Sequence, residues 1–250
     1  MHKRSSMISR IVRAILIFLA VGLISIGLSA QDFAPMEYGG VLYQVLENNP
    51  NGEGGVPIII YLHGRHASGS DNLRQINQAA VRNITSYIKE NNLKVIFLVP
   101  QCPEDHGWVK HREREGYLDK VEALVAYYVS QEKVDTSRIY LCGSSMGAVG
   151  AWGLIKDNPG LFAAAIIASG QAIDASPSDF TRIPLYVTVG SDERSTDALQ
   201  WFTNQIDREG GNVRFDILQG LRHGEACAAA FSAKRLSWLY EQTKRNQIGK

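Results

Sequence analysis

An apolar strand running straight into a glycine-x-serine-x-glycine turn constrains this chain more than any other stretch: Ile139-Tyr140-Leu141-Cys142-Gly143-Ser144-Ser145-Met146-Gly147. Such an elbow joins a strand to a helix and holds its central residue in a strained backbone conformation. Side chains two positions away on either side would collide with neighbouring main chain, and glycine at 143 and 147 removes that collision. Ser144 shares the motif, but only Ser145 stands two residues from both glycines, so Ser145 is the candidate nucleophile. The flanks agree. A turn and a β-branched and aromatic run, Asp135 to Tyr140, precede the elbow. Met146 to Lys156 is rich in Ala, Gly, Leu and Trp, as a helix packed closely on a sheet needs, and Asn158-Pro159-Gly160 stops it.

A serine on an elbow needs a base and an acid, and in folds of this type they follow it in the order Ser, Asp or Glu, His. Of the six histidines, five precede Ser145, which leaves His223 in the Gly-bounded segment Gln219 to Gly224 as the candidate base. For the acid, Pro184 to Gly190 reads as a buried strand with Ser191-Asp192-Glu193 at its carboxyl end, the edge where ligand sites gather in open α/β sheets. Asp192 is the preferred acid and Glu193 its main competitor, one residue away.

Acyl transfer also needs donors aimed at the developing oxyanion. One is expected from the backbone N–H of Met146 and the second from the loop after an earlier strand. Val56 to Leu62 is a continuous apolar run ending in His63-Gly64-Arg65-His66, and the second donor is placed on the backbone of Arg65. His63 and His66 also read as a metal-ligand pair, but no third ligand has suitable spacing and serine acyl transfer needs neither metal nor cofactor.

Taken together, these motifs resemble the compact α/β-hydrolases labelled predicted peptidases, related to the phospholipase/carboxylesterase and feruloyl or acetylxylan esterase groups. The resemblance runs from about Val56 to His223. It rests on Leu62-His63-Gly64 with Gly69-Ser70-Asp71-Asn72, on Val99 to Pro103 with Gly107-Trp108, on Val134 to Tyr140 leading into the elbow, and on Phe162 to Ala165. One departure is Ala148, where such sequences carry a second glycine after the elbow. The resemblance implies an α/β-hydrolase fold and hydrolysis of esters, with sugar-linked esters favoured. Trp108, in the loop after the strand near 94–99, is a candidate to stack on a sugar or phenolic acyl group; packing within the loop is its other reading.

At 250 residues the chain is long enough for one domain with a large core. Residues 1–30 read as a signal peptide and 31–250 as the catalytic domain. Lys3, Arg4, Arg10 and Arg13 precede an apolar run from Ala14, and Ser29-Ala30-Gln31 offers a cleavage site. Secretion or export to the periplasm follows, with membrane anchoring only if the leader is retained; Ala14 to Ala30 would barely reach across a bilayer. Removing the leader takes four of the 26 basic residues and none of the 25 acidic ones, which leaves 22 against 25 and a net charge of −3. That balance offers no electrostatic footprint for nucleic acid. Three cysteines allow at most one intrachain bridge, and Cys102 and Cys227, both after strand ends, are the candidates, Cys142 being a buried thiol.

Strand and helix signals alternate along the body. An amino-terminal hairpin turning at Asn48 to Gly52 is followed by strands near 57–62, 94–99, 139–143, 162–168, 184–190 and 212–218. Helices are expected near 72–91, 117–131 and 146–156 and from Gly224 onward. This predicts a mainly parallel, doubly wound sheet covered on both faces. Between Ser169 and Ile183 there are only 15 residues, too few for a separate cap domain, so an open cleft with a largely polar wall is expected. Three functions fit: a serine esterase, a peptidase using the same residues, and a binding protein that has kept the fold. No member of the triad is missing, which disfavours the third.

Overall fold

The computed structural model describes residues 32–48 and 53–244. Their apolar runs assemble into one eight-stranded sheet: β1 (Ala34–Tyr38), β2 (Val41–Asn48), β3 (Val56–Leu62), β4 (Val95–Pro100), β5 (Val134–Ser144), β6 (Ala164–Ala168), β7 (Leu185–Gly190) and β8 (Val213–Leu218). The order is β1-β2-β4-β3-β5-β6-β7-β8. β1 and β2 form an antiparallel hairpin on the edge, β2 meets β4 antiparallel, and every later pairing is parallel. The chain is an α/β-hydrolase fold. The hairpin turns at Gly39-Gly40, both at positive φ, rather than at Asn48 to Gly52, of which residues 49–52 lie outside the described residues. So does the expected leader.

The central strands read as unbroken hydrophobic runs because both faces of the sheet are covered. Alternate residues feed two cores. Ile58, Ile60, Leu141 and Ile167 face one side, covered by α2 (Leu118–Val129) and α3 (Met146–Asp157). Ile59, Tyr61, Tyr140 and Ile166 face the other. There Val81, Ile84 and Ile88 of α1 (Ala79–Glu90) and Leu236 and Leu239 of the last helix pack against them. Two further helices, α4 (Thr196–Arg208) and α5 (His223–Ala229), precede α6 (Ala233–Glu241). The single helix expected after Gly224 is thus two helices, broken at Ser232, and the helix expected over 72–91 begins with a short 3-10 turn at Arg74–Asn77. Among the described residues no helix is long and apolar enough to cross a membrane.

Strand order fixes where a site can form. From β3 the chain moves to β4 on one side and then to β5 on the other, so the order reverses at β3 and opens a crevice beyond the carboxyl ends of these strands. Leu62 pairs with Gly143, Ser144 with Ala168, and Gly190 with Leu218. Those registers bring the loops after β3, β5, β6, β7 and β8 to one edge.

Candidate active site

Ser145 sits at the tip of the elbow with φ 56° and ψ −120°, a conformation that costs a non-glycine residue energy and is retained only where the surroundings enforce it. Both flanking glycines are required by contact. A Cβ at Gly147 would lie 1.8 Å from the Leu62 carbonyl oxygen, and one at Gly143 would lie 2.3 Å from that of Gly147. Ser144, the neighbouring serine, is buried with its hydroxyl 2.7 Å from the Tyr61 hydroxyl. It is tied to the core through Tyr61 and hydrogen bonds neither His223 nor Glu193 among the described residues, although it borders the cavity that Ser145 enters.

The structure joins Ser145 to His223: the Oγ hydrogen bonds Nε2 at 2.8 Å. The other ring nitrogen, Nδ1, lies 2.6 Å from Glu193 Oε2. A carboxylate only accepts, so Nδ1 carries the proton of the neutral ring and Nε2 is left to accept from the serine. His223 opens α5 rather than lying in a free loop, and its side chain is half exposed, so the array faces solvent.

Glu193, and not Asp192, meets the histidine. The chain turns after β7 so that the Glu193 N–H bonds the Gly190 carbonyl, which folds the Glu193 side chain back under the sheet edge. There it is 5% exposed and accepts from Ser169 Oγ at 2.6 Å and from the Gly190 N–H at 2.8 Å as well as from His223. Three donors compensate the charge of a carboxylate that burial would otherwise penalise. Asp192 points outward and accepts from the Ser191 hydroxyl. Ser169, itself at φ 57°, is a member of this array that sequence reasoning missed.

Opposite the histidine, the segment after β3 passes directly over the nucleophile: a Cβ at Gly64 would stand 3.3 Å from Ser145 Cβ. His63 sets its course. The ring is fully buried, donates Nδ1–H to the Gly64 carbonyl at 2.8 Å and accepts the Cys102 N–H on Nε2 at 2.9 Å. The same Gly64 carbonyl accepts the Ala67 N–H. Because a trans peptide points its C=O and N–H in opposite directions, pinning that carbonyl turns the Arg65 N–H the other way. Burial holds His63 at a pKa of about 4, so the ring stays neutral and keeps both bonds. With both nitrogens committed to backbone groups, His63 has none left for a metal. The Met146 N–H opens α3 and belongs to the first turn, whose donors have no partner within the helix.

Trp108 does not present its ring to a ligand. It is fully buried, its Nε1–H donates to the His63 carbonyl at 2.9 Å, and it is packed into the wall of a cavity of about 330 Å³. Arg65, Met146, Val149 and Ile173 are among the residues that line this cavity. Ile173 makes the wall contributed by the 169–183 segment more apolar than expected. A second cavity of about 300 Å³ is lined by Gly64, Ser145, His223, Gly224 and Cys227 among others. Cys102 and Cys227 are not paired; all three cysteines are free thiols. Burial pushes Cys227 up to about 11 and Cys102 up to about 12, so both are protonated at neutral pH.

A serine, a histidine and a buried carboxylate linked in series at the carboxyl edge of a mainly parallel sheet define an α/β-hydrolase. The sequence pattern of the dienelactone hydrolase family matches residues 101–239, more than half of the chain, and the chain belongs to that family. The match includes Ser145, Glu193 and His223, whereas the segment from β3 to Arg65 lies before it. Solved structures share the fold. A thermostable esterase superposes with a TM-score of 0.76 at 24% identity over 86% of this chain, which spans 64% of that esterase's length. Est1E from Butyrivibrio proteoclasticus gives 0.61 at 15% identity, covering 88% of this chain and all of that one. The S-formylglutathione hydrolase of Staphylococcus aureus gives 0.63 at 13%, covering 84% and 98%. No curated protein matches the sequence.

Proposed function

We propose that this chain is an exported serine hydrolase of carboxylic esters. Ser145 attacks the ester carbonyl while His223 Nε2 takes its proton, and Glu193 holds the imidazole in that tautomer and stabilises the imidazolium. The N–H groups of Arg65 and Met146 hold the oxyanion. The imidazolium then gives its proton to the departing alcohol oxygen. Water, deprotonated by the same ring, cleaves the acyl-enzyme and releases the carboxylic acid. The hydrogen-bonded series from Ser145 Oγ through His223 to Glu193, at 2.8 and 2.6 Å, carries this reading. The esterases among the structural neighbours support the choice of ester over amide, and the leader-like composition of residues 1–30 supports export. The half-exposed histidine and the two small cavities fit short or aromatic acyl groups on a large, polymer-attached alcohol.

A panel of acetyl, feruloyl and longer acyl esters, with peptide amides alongside, tests this reading. Turnover of short or aromatic esters with little amide cleavage is expected. Faster cleavage of amides than of matched esters, or a steep preference for long acyl chains, would overturn it.

A further inference from the structure

The turn after β6, Ala168-Ser169-Gly170, touches the nucleophile and the acid at once. Ala168 ends β6, paired with Ser144 on one side and Thr188 on the other, and its carbonyl accepts the Ser145 N–H at 2.8 Å. Gly170 fits so closely against the elbow that a Cβ there would lie 2.5 Å from the Ser145 carbonyl oxygen. The Gly170 carbonyl is pinned in turn by Trp152 Nε1–H at 2.9 Å. Between the two, the Ser169 N–H bonds the Thr188 carbonyl at 2.9 Å and its hydroxyl reaches Glu193 Oε1 at 2.6 Å. Three consecutive residues therefore connect the elbow to the loop after β7.

Position 169 has the backbone of a glycine position. Its φ of 57° costs any residue that carries a Cβ, and such a cost persists only where the surroundings enforce it. Ser169 is 5% exposed, so its side chain serves no solvent contact. What serine adds over glycine here is a hydroxyl proton, and a carboxylate, which only accepts, is where that proton points. The two oxygens of Glu193 are used differently. Oε1 takes the Ser169 hydroxyl and the Gly190 N–H, at 2.6 and 2.8 Å, whereas Oε2 takes His223 Nδ1 at 2.6 Å. Two donors on one oxygen fix the rotation of the carboxylate and direct the other oxygen at the imidazole. Cys227, one turn after His223 on α5, also reaches the Ser169 hydroxyl. Burial keeps that thiol protonated, so it adds no charge beside Glu193.

Resting on the esterase reading, we propose that Ser169 is a positioning residue: its hydroxyl aims Glu193 at His223, and its main chain fixes that carboxylate relative to Ser145. The Ser169 proton stays on its own oxygen throughout. During attack the Ser145 proton moves to His223 Nε2, and the imidazolium forms against a carboxylate that is already held in place.

The test is a double-mutant cycle in kcat and KM on 1-naphthyl acetate, with Ser169→Ala and Ser169→Gly made in the parent and in a Glu193→Ala background. Ser169→Ala is expected to lower kcat by about 10–100-fold through loss of one charge-assisted hydrogen bond, with KM within about twofold of the parent. Ser169→Gly relieves the backbone but also lacks the hydroxyl, so an equal loss is expected. Without the Glu193 side chain there is nothing to aim, and either change is expected to cost less than about twofold more. Should Ser169→Ala fail to fold, Ser169→Gly carries the cycle. Recovery of turnover in Ser169→Gly relative to Ser169→Ala would make the role one of backbone conformation and overturn the proposal. Full kcat in both variants, or the same fold-loss with and without Glu193, would also overturn it and leave the esterase reading standing. A parent that cleaves no ester would remove the esterase reading and this proposal with it.

Discussion

Two histidines at the same sheet edge follow apolar strands and stand in glycine-bearing segments, yet the structure uses them in opposite ways. His63, after β3, is fully buried, and both its ring nitrogens are spent on backbone groups, the Gly64 carbonyl and the Cys102 N–H. His223, after β8, is half exposed and its nitrogens link Ser145 to Glu193. One ring has a fixed tautomer and no function for a mobile proton. The other stands between a hydroxyl that can release a proton and a carboxylate that stabilises the charge gained. A histidine's chemistry is thus decided by what each nitrogen meets. In the proposed mechanism the two regions are complementary: His63 shapes the wall that receives negative charge, and His223 moves the proton.

The comparison predicts graded losses. His223→Ala is expected to lower ester kcat/KM by roughly 10⁴-fold to 10⁶-fold, because residues that act as a unit fail together. Retention of a tenth of the activity would assign the base elsewhere. Next, Glu193→Gln is expected to lower kcat by about 10⁴-fold through loss of the orienting partner, with Asp192→Asn within about twofold of the parent. The reverse pattern in the same kinetic comparison would return the acid to Asp192.

His63→Phe keeps an aromatic ring but strands the Cys102 N–H and leaves Gly64 with one donor. A loss of about 2–4 kcal/mol in urea unfolding is expected from two buried partners. A kcat lower by roughly 10–100-fold, with KM little changed, is expected from a misaimed oxyanion donor. Lower stability at unchanged kcat would confine His63 to packing.

An effect of similar size is a pH dependence. Burial holds the His63 pKa at about 4 in the folded protein, below the ordinary histidine value of about 6.5. Between these values the unfolded chain binds the extra proton, so its contribution to stability is fully present above pH 6.5 and declines as the pH falls. By pH 4 the loss relative to His63→Phe is about 3 kcal/mol. Parallel stability profiles for the two proteins between pH 7 and 4 would contradict the buried neutral ring.

Sequence made the sheet, its parallel character and the elbow legible because each rests on local rules: apolar runs of strand length, helix signals between them, and glycines at fixed distance from a serine. Chain order alone singled out His223, and the structure joins it to Ser145. The carboxylate that meets His223 is Glu193, one residue on from the expected Asp192; no periodicity extends past the end of β7 to tell the two apart. Which of Asp192 and Glu193 turns inward depends on the Gly190–Glu193 turn and on Ser169, 24 residues earlier. Trp108 stood beside motif residues as an exposed stacking ring would, but its burial depends on the close approach of α3, where a Cβ at Gly150 would lie 2.6 Å from Trp108 Cβ. No third ligand in the sequence supports a His63 and His66 metal pair, but nothing local reveals that the Cys102 N–H reaches the His63 ring. Each of these points turns on a contact between segments far apart in the chain.

The central claim is that Ser145, activated by His223, is the nucleophile. Treatment with a fluorophosphonate followed by mass spectrometry of the peptides tests it directly. The account predicts one adduct on Ser145, formed in the parent, lost in Ser145→Ala and strongly slowed in His223→Ala. An adduct on Ser144, or no adduct on an enzyme that still hydrolyses esters, would contradict it.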